Sequence, residues 1–305
     1  MNKIVITGAS GFVGQNLLPY LSNKGHYVHT LSLRKEDWQS SLPTTTEVII
    51  HLAGKAHDTA NTSSADEYFN VNRDLTIALF EHFIKSDAKD FFYFSSVKAV
   101  ADTVEGVLKE DVTPNPYTPY GQSKKEAEQY LLNASLPEGK RVFIIRPCMI
   151  HGPGNKGNLN LLYKVVEKGI PWPLASFDNH RSFLSIDNLC YLVNEMMQNA
   201  NVSSGVYNFS DDKALSTNEL VTLIAKVSNK KPKLWHISKG FMNSIAFIGD
   251  KIKLPLNSER LKKLTENYVV SNDKVKETLG IDKLPVSAEE GLVRTITSFC
   301  EGRKA

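Results

Sequence analysis

Cysteine is scarce in this chain of 305 residues, which contains three cysteines, Cys148, Cys190 and Cys300. Because their number is odd and their spacing is wide, they fit neither a disulfide framework nor a zinc or redox motif. The histidines also lack the close spacing that metal ligands require. We therefore expect no metal site and no structural disulfide, as is typical of a protein in a reducing compartment such as the cytoplasm.

Long apolar runs are missing as well. The most apolar late stretch, residues 241–248, is far shorter than the roughly 20 residues that span a bilayer. We expect it in a buried or amphipathic helix. At the start of the chain, the strand-like residues 3–6 lead directly into a glycine loop, which leaves no room for a signal peptide. Both features predict a cytoplasmic protein without a membrane span.

A strong charge of one sign is the third absence. The chain has 36 basic and 33 acidic side chains, scattered along the sequence, for a formal net charge of +3. A protein that binds a phosphate backbone needs clustered lysine and arginine residues, and no run of that kind stands out. The charge pattern therefore argues against nucleic acid as a partner.

Short apolar runs alternate with longer amphipathic ones through the first half of the chain. The apolar runs cover residues 3–6, 27–31, 47–52, 91–95 and 142–145. This alternation predicts a parallel sheet covered by helices on both faces, a Rossmann-type doubly wound α/β fold. A Gly/Pro/Asn-rich passage at 151–158 marks a boundary. We expect a Rossmann domain in 1–150 and a smaller α/β domain in 151–305, interleaved by a returning segment near 182–210.

The first apolar run leads into a loop with glycine at every third position, Gly8, Gly11 and Gly14, followed by a helical pattern. In a dinucleotide loop the first glycine permits a tight turn, the second lets amides approach a pyrophosphate, and the third allows close packing of helix on strand. The position at the start of a βαβ unit distinguishes this loop from an ordinary glycine-rich turn. The residues assigned to cofactor binding here also include Ser10, Phe12 and Val13.

The end of the second apolar run indicates which dinucleotide binds. That position commonly carries an acid for NAD or a basic residue for the extra phosphate of NADP. Here it carries Ser32 and Arg34, with no acid before Glu36. A hydroxyl and a guanidinium suit a phosphate through charge-assisted hydrogen bonds, although Arg34 could instead be a solvated surface charge. We favour NADP(H) as the cofactor, with NAD(H) as the alternative.

Tyr120 and Lys124 are four residues apart, which places a phenol and an ammonium on one face of a helix. An adjacent cation together with a positively charged nicotinamide favours the phenolate, so Tyr120 could remove a proton from a hydroxyl. Ser95 and Ser96 end an apolar strand at the sheet edge where open α/β folds bind ligands, and a serine there can donate to a reacting oxygen. A solvated helix face and a strand-end cap are the ordinary structural alternatives.

These motifs resemble those of the extended short-chain dehydrogenases called the nucleotide-sugar epimerase/dehydratase family. The similarity covers nearly the whole chain in family order. It implies an NAD(P)-dependent enzyme that oxidises or reduces the ring of a nucleotide sugar, with a UDP-hexose or UDP-HexNAc as substrate. The matching segments are ThrGlyAlaSerGlyPheValGly at 7–14, HisLeuAlaGly at 51–54, ValAsn at 71–72, PheSerSer at 94–96, TyrGlyGlnSerLys at 120–124, IleArgPro at 145–147, HisGlyProGly at 151–154, ArgSerPheLeuSerIleAspAsn at 181–188 and GluGluGlyLeu at 289–292.

The resemblance also implies roles for single residues. Ser96 would be the catalytic hydroxyl that works with Tyr120 and Lys124, and Asn72 would brace the third and fourth strands. Further residues assigned to the cofactor are Leu52, Ala53, Gly54, Asn72, Tyr120, Lys124 and Pro147. Residues assigned to the substrate are Ser96, Lys98, Tyr120, Met149, Asn158 and Arg181, the last two as ligands of the diphosphate. A homodimer through the helices that flank Asn72 and Tyr120 is the implied assembly.

The chain departs from the family pattern at several positions. Val97 and Lys98 stand where the dehydratases carry an Asp-Glu pair, which disfavours dehydration. Met149 replaces an Asn of many 4-epimerases, and Ala101 and Asp102 replace a Tyr-Gly pair, so substrate contacts are altered. The Ser-Ser-apolar-Lys order and the Gly-Pro-Gly-Asn-Lys-Gly-Asn segment are similar to a branch that reduces 4-keto-6-deoxy UDP-HexNAc sugars.

The sequence leaves two activities open within one class. A 4-epimerase and a 4-ketoreductase use the same Ser96, Tyr120 and Lys124 and differ only in their net redox change. A catalytically inactive relative that senses NADP(H) or scaffolds a complex is the alternative from another class. It is disfavoured because such relatives typically lose the tyrosine or the lysine, and both are present here.

Overall fold

The computed structural model of the chain describes residues 1–55, 64–155, 157–252 and 256–301. A π-helical turn, Asn70–Asp74, joins two of its helices, and two 3-10 turns cover Trp38–Ser41 and Val97–Ala99. The strands are β1 (Lys3–Thr7), β2 (Tyr27–Leu31), β3 (Val48–His51), β4 (Asp90–Phe94), β5 (Val107–Leu108), β6 (Arg141–Pro147), β7 (Met149–His151), β8 (His180–Arg181), β9 (Phe183–Ser185), β10 (Gly205–Phe209), β11 (Leu215–Ser216) and β12 (Val269–Val270). The helices are α1 (Phe12–Asn23), α2 (Ala65–Phe69), α3 (Leu75–Lys85), α4 (Pro119–Asn133), α5 (Asn158–Glu167), α6 (Ile186–Gln198), α7 (Thr217–Val227), α8 (Lys239–Ile252), α9 (Ser258–Thr265), α10 (Asp273–Leu279) and α11 (Ala288–Glu301).

The central sheet has six strands in the order β2-β1-β3-β4-β6-β10, and every pairing in it is parallel. The strand order reverses at β1, which has β2 on one side and β3 on the other. The carboxyl ends of the strands at such a switch point open a crevice in which ligands bind. The sheet confirms the predicted doubly wound α/β fold.

Helices cover both faces of the sheet. One face packs on α1 and α6 through residues that include Leu17 and Leu189, and the other packs on α3 and α4 through Phe80 and Leu131. Strands β3 and β4 are buried along their whole length. Because neither face of these strands meets water, their sequences are nearly continuous apolar runs and do not alternate with polar residues.

A second core lies in the later part of the chain. Leu159, Leu220, Met242, Leu261 and Leu292 bring α5, α7, α8, α9 and α11 into one cluster. The short strand pairs β7 with β9, β8 with β11 and β5 with β12 lie outside the main sheet. Between α5 and α7 the chain returns to the first core. There α6 packs on α1, and β10 pairs with β6. The domain division near residue 150 stays a prediction.

The apolar stretch at residues 241–248 lies within α8, which buries Met242 and Ala246 on its inner side and exposes Phe241 and Ile248 on its outer side. The helix therefore has a buried side and an exposed side, and much of the exposed side is also apolar. Across the described ranges, none of the helices combines the length and the apolar character needed to cross a membrane.

Candidate active site

The loop from β1 to α1 is so close to its neighbours that side chains do not fit at its first and third glycines. Gly8 has φ +71°, and a Cβ on it would lie 2.6 Å from the Ala53 nitrogen. A Cβ on Gly14 would lie 2.6 Å from the Gly8 carbonyl oxygen. The Gly11 nitrogen donates to that oxygen at 3.0 Å. No side chain among the described residues caps this end of α1, so its first amides remain available to an anion.

Residues that follow β3 form the opposite wall of the crevice. The Ala53 nitrogen donates to Thr7 Oγ1 at 3.2 Å, which ties the end of β3 to the end of β1. A Cβ on Gly54 would lie 3.0 Å from Asn72 Oδ1 and 3.2 Å from Lys124 Nζ. The absence of a side chain at Gly54 therefore lets this wall approach the helix that carries Lys124.

The residues predicted to contact the adenosine end lie beside β1 and β2. Ser10 is exposed in the glycine loop, whereas Phe12 and Val13 pack against the first core. Ser32 and Arg34 follow the edge strand β2 and are exposed. No hydrogen bond or ion pair joins Arg34 to another part of the chain that the structure describes. Its guanidinium is thus free to meet a phosphate or to remain in water.

Ser96 and Tyr120 meet at the carboxyl edge of the sheet. Ser96 follows β4 and starts a 3-10 turn, in which the Lys98 nitrogen donates to Ser96 Oγ at 3.2 Å. Tyr120 stands in the first turn of α4, whose amino end is capped by the Thr118 side chain. Ser96 lies close enough to the Tyr120 phenol to lower its pKa. The structure thus brings together the two hydroxyls that the sequence singled out.

Several neighbours shift the pKa of Tyr120 in the protein without cofactor. Burial raises this pKa above its ordinary value, Ser96 lowers it, and the charge of Tyr68 raises it. The Tyr68 ring lies edge-on, with its centre 6.1 Å from that of Tyr120. In the free protein Tyr120 is therefore a neutral phenol at neutral pH, and the phenolate expected beside Lys124 and a bound nicotinamide stays a prediction.

Lys124 lies one helical turn after Tyr120 and is buried. Its Nζ donates to the Phe94 carbonyl at 2.9 Å and lies 4.9 Å from the centre of the Tyr93 ring. Burial lowers its pKa to about 8, and the carboxylate of Glu128 opposes this decrease. Because the ammonium form prevails below that pKa, the site holds a buried cation near a neutral phenol at neutral pH.

Asn72 is fully buried and uses its side chain to hold other parts of the site. Its Oδ1 accepts from the Lys55 nitrogen at 2.8 Å, and its Nδ2 donates to the Lys55 carbonyl and to Ser123 Oγ. The Tyr93 hydroxyl of β4 donates to the Asn72 carbonyl at 3.3 Å. Asn72 therefore ties the segment after β3 to β4 and also to α4, a position that suits bracing better than direct contact with a cofactor.

A buried charge network behind the site was not predicted from the sequence. Arg146 donates to Glu128 through Nε at 3.0 and 3.1 Å and through a terminal nitrogen at 2.6 Å, and the Ser95 hydroxyl donates to the same carboxylate. Arg146 is 3% exposed and Glu128 is 1% exposed. The available signal was the position of Glu128 one turn after Lys124, on the same face of α4.

Two cations predicted to bind substrate, Lys98 and Arg181, donate to backbone carbonyls. Lys98 Nζ donates to the Asp102 carbonyl at 2.7 Å, and Arg181 donates to the carbonyls of Lys263 and Glu266. Burial lowers the pKa of both cations, and the charge of Arg181 contributes to the lowered pKa of Lys98. Backbone carbonyls thus occupy part of the guanidinium fork that the resemblance assigns to a diphosphate.

The other predicted residues lie around this region. Pro147 ends β6, and the half-buried Met149 begins β7. Asn158 begins α5, but its side chain lies outside the described part of the structure. Cys148, Cys190 and Cys300 are all free thiols. In the described ranges, no three His, Cys, Asp or Glu side chains group in a way that could hold a metal ion.

Comparison with known proteins agrees with this geometry. The model of the NAD dependent epimerase/dehydratase family matches residues 4–209. Over 98% of the chain and 96% of the relative, the sequence is 32% identical to a UDP-glucose 4-epimerase of Vibrio cholerae. Over 97% of the chain and 94% of the relative, it is 26% identical to the N-acetyl-alpha-D-glucosaminyl-diphospho-ditrans,octacis-undecaprenol 4-epimerase of Escherichia coli O157:H7.

The fold is similar to that of a solved structure as well. RMD from Pseudomonas aeruginosa, complexed with NADPH, superposes with a TM-score of 0.76 at 21% identity, covering 99% of this chain and 100% of that chain. The family match includes the glycine loop, the Ser96 strand end and the Tyr120 helix, and the relatives match along nearly the full length. The chain belongs to the NAD dependent epimerase/dehydratase family.

Proposed function

We propose that the protein is a nucleotide-sugar 4-epimerase that works through a 4-keto sugar, with Tyr120 as its acid and base. The observation that carries this proposal is the clustering of Ser96, Tyr120 and the buried Lys124 at the carboxyl end of β4, where Lys124 Nζ donates to the Phe94 carbonyl and Ser96 lowers the pKa of the Tyr120 phenol. Of the two activities that the sequence left open, epimerisation is favoured by the full-length similarity to a UDP-glucose 4-epimerase.

The crevice fits a nicotinamide dinucleotide. Gly8 and Gly14 lack side chains where a Cβ would collide with backbone atoms, and the uncapped amino end of α1 offers amides to a pyrophosphate. Leu52, Ala53 and Gly54 form the facing wall. The bound cofactor would supply the hydride acceptor and donor for the sugar ring. We assign its phosphates to the glycine loop and its adenosine side to Ser32 and Arg34.

The proton chemistry belongs to the side chains of this protein. Tyr120 is protonated in the free protein, so it must first release its proton to solvent before it can accept one from the sugar hydroxyl. Ser96 lowers the pKa of the phenol, and a positively charged nicotinamide bound beside the ring would lower it further. Lys124 adds a buried cation that is charged at neutral pH, because its pKa is about 8. Tyr120 would take the proton of the sugar hydroxyl while the cofactor takes the hydride from the same carbon.

The substrate class is proposed from the two cations Lys98 and Arg181. Lys98 and Arg181 lie within electrostatic range of one another, and a pair of such cations suits the negative charge of a sugar diphosphate. The two named relatives act on a hexose joined to a diphosphate. We therefore assign a UDP-hexose or UDP-HexNAc to this site, with Met149 and Asn158 as further contacts.

A 4-ketoreductase is the second candidate, and one observation favours it. Arg34 is exposed at the end of β2 and has no described partner, as expected for a residue that reads the extra phosphate of NADPH. A net reductase consumes NADPH from solution, whereas an epimerase regenerates one bound dinucleotide. Purified protein that carries stoichiometric NAD and converts a UDP-hexose without external cofactor supports the epimerase. Protein that consumes NADPH with a 4-keto sugar supports the reductase.

The role of Tyr120 is tested by Tyr120→Phe, which removes only the phenolic oxygen. We expect turnover of UDP-hexoses to fall by about 10²–10⁴, because the general acid and base is lost, with little change in sugar binding. Tyr130→Phe is the matched control, since Tyr130 lies on the same helix and its hydroxyl donates to Glu81, away from the site. Equal activity of the two variants would contradict the proposal.

The expected homodimer remains a prediction. It would use α3 and α4, where Tyr130 and Leu132 are 39% and 53% exposed. Sedimentation velocity of the protein and of a Leu132→Glu variant tests this assembly, because a buried charge in the interface should give monomers.

A further inference from the structure

We propose that α8 is a docking surface for an anionic membrane. The helix exposes a line of large apolar side chains: Phe241, Ile248 and Ile252 are 59%, 51% and 63% exposed, and the half-buried Ile245 lies between them. Spacings of four, three and four residues place these side chains on one side of the helix. The line therefore runs along the whole helix axis.

The contacts of α8 hold this line outward. Met242, Ala246 and Gly249 form the buried side. Gly249 packs directly against the backbone carbonyl of Leu256, since a Cβ on it would lie only 2.0 Å from that oxygen. Asp250 accepts from the nitrogen and the hydroxyl of Ser258 at 3.0 and 2.5 Å. Rotation that buried the apolar line would break these contacts and expose the present inner side.

The surrounding segment is strongly basic. Residues 226–263 contain ten Lys or Arg and two Asp or Glu, a net charge of +8 in a chain whose total is +3. Charge is therefore not scattered evenly through this segment, in contrast to the even scatter expected for the whole sequence. Exposed lysines of the segment stand before α8 and at its two ends: Lys230, Lys231, Lys233, Lys239 and Lys251.

An apolar line flanked by lysines is typical of helices that lie in a membrane interface. Aliphatic side chains such as Ile248 and Ile252 do not stack on bases, which makes nucleic acid a poor occupant. Two copies meeting through this surface would bring two strongly positive segments together and repel one another. Anionic lipid matches both features, because acyl chains accept the apolar side chains and headgroups attract the lysines.

The surface adjoins the candidate substrate site. Helix α9 packs on α8, and the carbonyl of Lys263 in α9 accepts a hydrogen bond from Arg181. Docking of α8 would therefore bring the crevice near the lipid surface. The docking proposal does not depend on the proposed reaction, because it rests only on the exposure and charge of α8.

Co-sedimentation with vesicles tests the proposal. The full chain should sediment with vesicles that contain phosphatidylglycerol and much less with pure phosphatidylcholine, because each lysine at an anionic surface strengthens binding about fivefold. Phe241→Ser/Ile248→Ser should weaken binding at least about tenfold, since it removes two side chains that bury apolar area in the bilayer. The matched control is Tyr27→Ser/Val107→Ser, which removes an aromatic and an aliphatic side chain that are 64% and 50% exposed elsewhere.

Unchanged far-ultraviolet circular dichroism and melting temperature in both double variants verify that the fold is retained. The proposal is overturned if the native chain does not sediment with anionic vesicles, or if the α8 variant binds as well as its control. It is also overturned if the α8 variant dissociates an oligomer of the native chain, since the surface then binds a second copy. Binding to a DNA duplex in place of vesicles would be a further contrary result.

Discussion

The buried pair of Glu128 and Arg146 leads to a prediction with two separate readouts. Glu128→Gln keeps the size of the side chain but removes the charge that compensates Arg146, which is 3% exposed. Loss of one partner of a buried ion pair costs about 3–5 kcal/mol, because the remaining charge stays desolvated. The Ser95 hydroxyl also exchanges a carboxylate acceptor for an amide, which adds up to about 1 kcal/mol. We expect a loss in the free energy of unfolding of about 3–6 kcal/mol.

The control for this loss is the double variant Glu128→Leu/Arg146→Leu. Removing both charges and replacing them with apolar side chains is often neutral, so the double variant should be clearly more stable than Glu128→Gln alone. Urea unfolding followed by circular dichroism at pH 7 measures the three proteins. If the double variant is destabilised as much as the single one, the uncompensated charge of Arg146 is not the cause, and the reasoning is refuted.

The second readout is the pH dependence of activity. Lys124 works as the ammonium, so its contribution is complete below its pKa of about 8 and is lost as the pH rises through that value. The Glu128 carboxylate raises this pKa, and its neutralisation must lower it. The alkaline limb of kcat/KM should therefore move to lower pH in Glu128→Gln. An unchanged limb would show that another group titrates there.

Two further predictions concern the cofactor crevice. Gly8→Ala should abolish thermal stabilisation by the dinucleotide and lower the free energy of unfolding by more than the roughly 1 kcal/mol expected for a left-handed alanine. The control Gly106→Ala has a similar φ of +75° and nothing within 4 Å of the added Cβ, so it should cost only that amount. Equal losses in the two variants would refute the steric argument. Arg34→Ser should weaken NADPH binding about tenfold or more and leave NADH binding unchanged, because a charge-assisted pair with phosphate is lost. Titration calorimetry with both nucleotides measures these affinities. Equal effects on the two nucleotides would contradict the NADP(H) preference.

Much of the dinucleotide half could be predicted from local patterns. The glycine loop stands out because a tight turn, a close strand and a packed helix each exclude a side chain at a fixed spacing. Strands buried on both faces are visible as continuous apolar runs. The turn of helix between Tyr120 and Lys124 places both side chains on one face of α4, whatever the rest of the chain does.

Other features depend on contacts between distant segments. The pKa of Tyr120 is raised in the free protein because burial depends on everything packed around the ring. Lys124 donates to the carbonyl of Phe94 in a different strand. Arg181 donates hydrogen bonds to backbone carbonyls that lie more than 80 residues later in the sequence.

The sequence by itself determined the α/β class, the glycine loop and the position of Tyr120 and Lys124 on one helix face, because these features follow from residue type and short-range spacing. Only the tertiary structure decided the strand order, the pairing of Glu128 with Arg146, the protonation of Tyr120 and the outward face of α8. Desolvation and ion pairing arise from residues far apart in the chain, and the free energy of a buried charge depends on which of them come together.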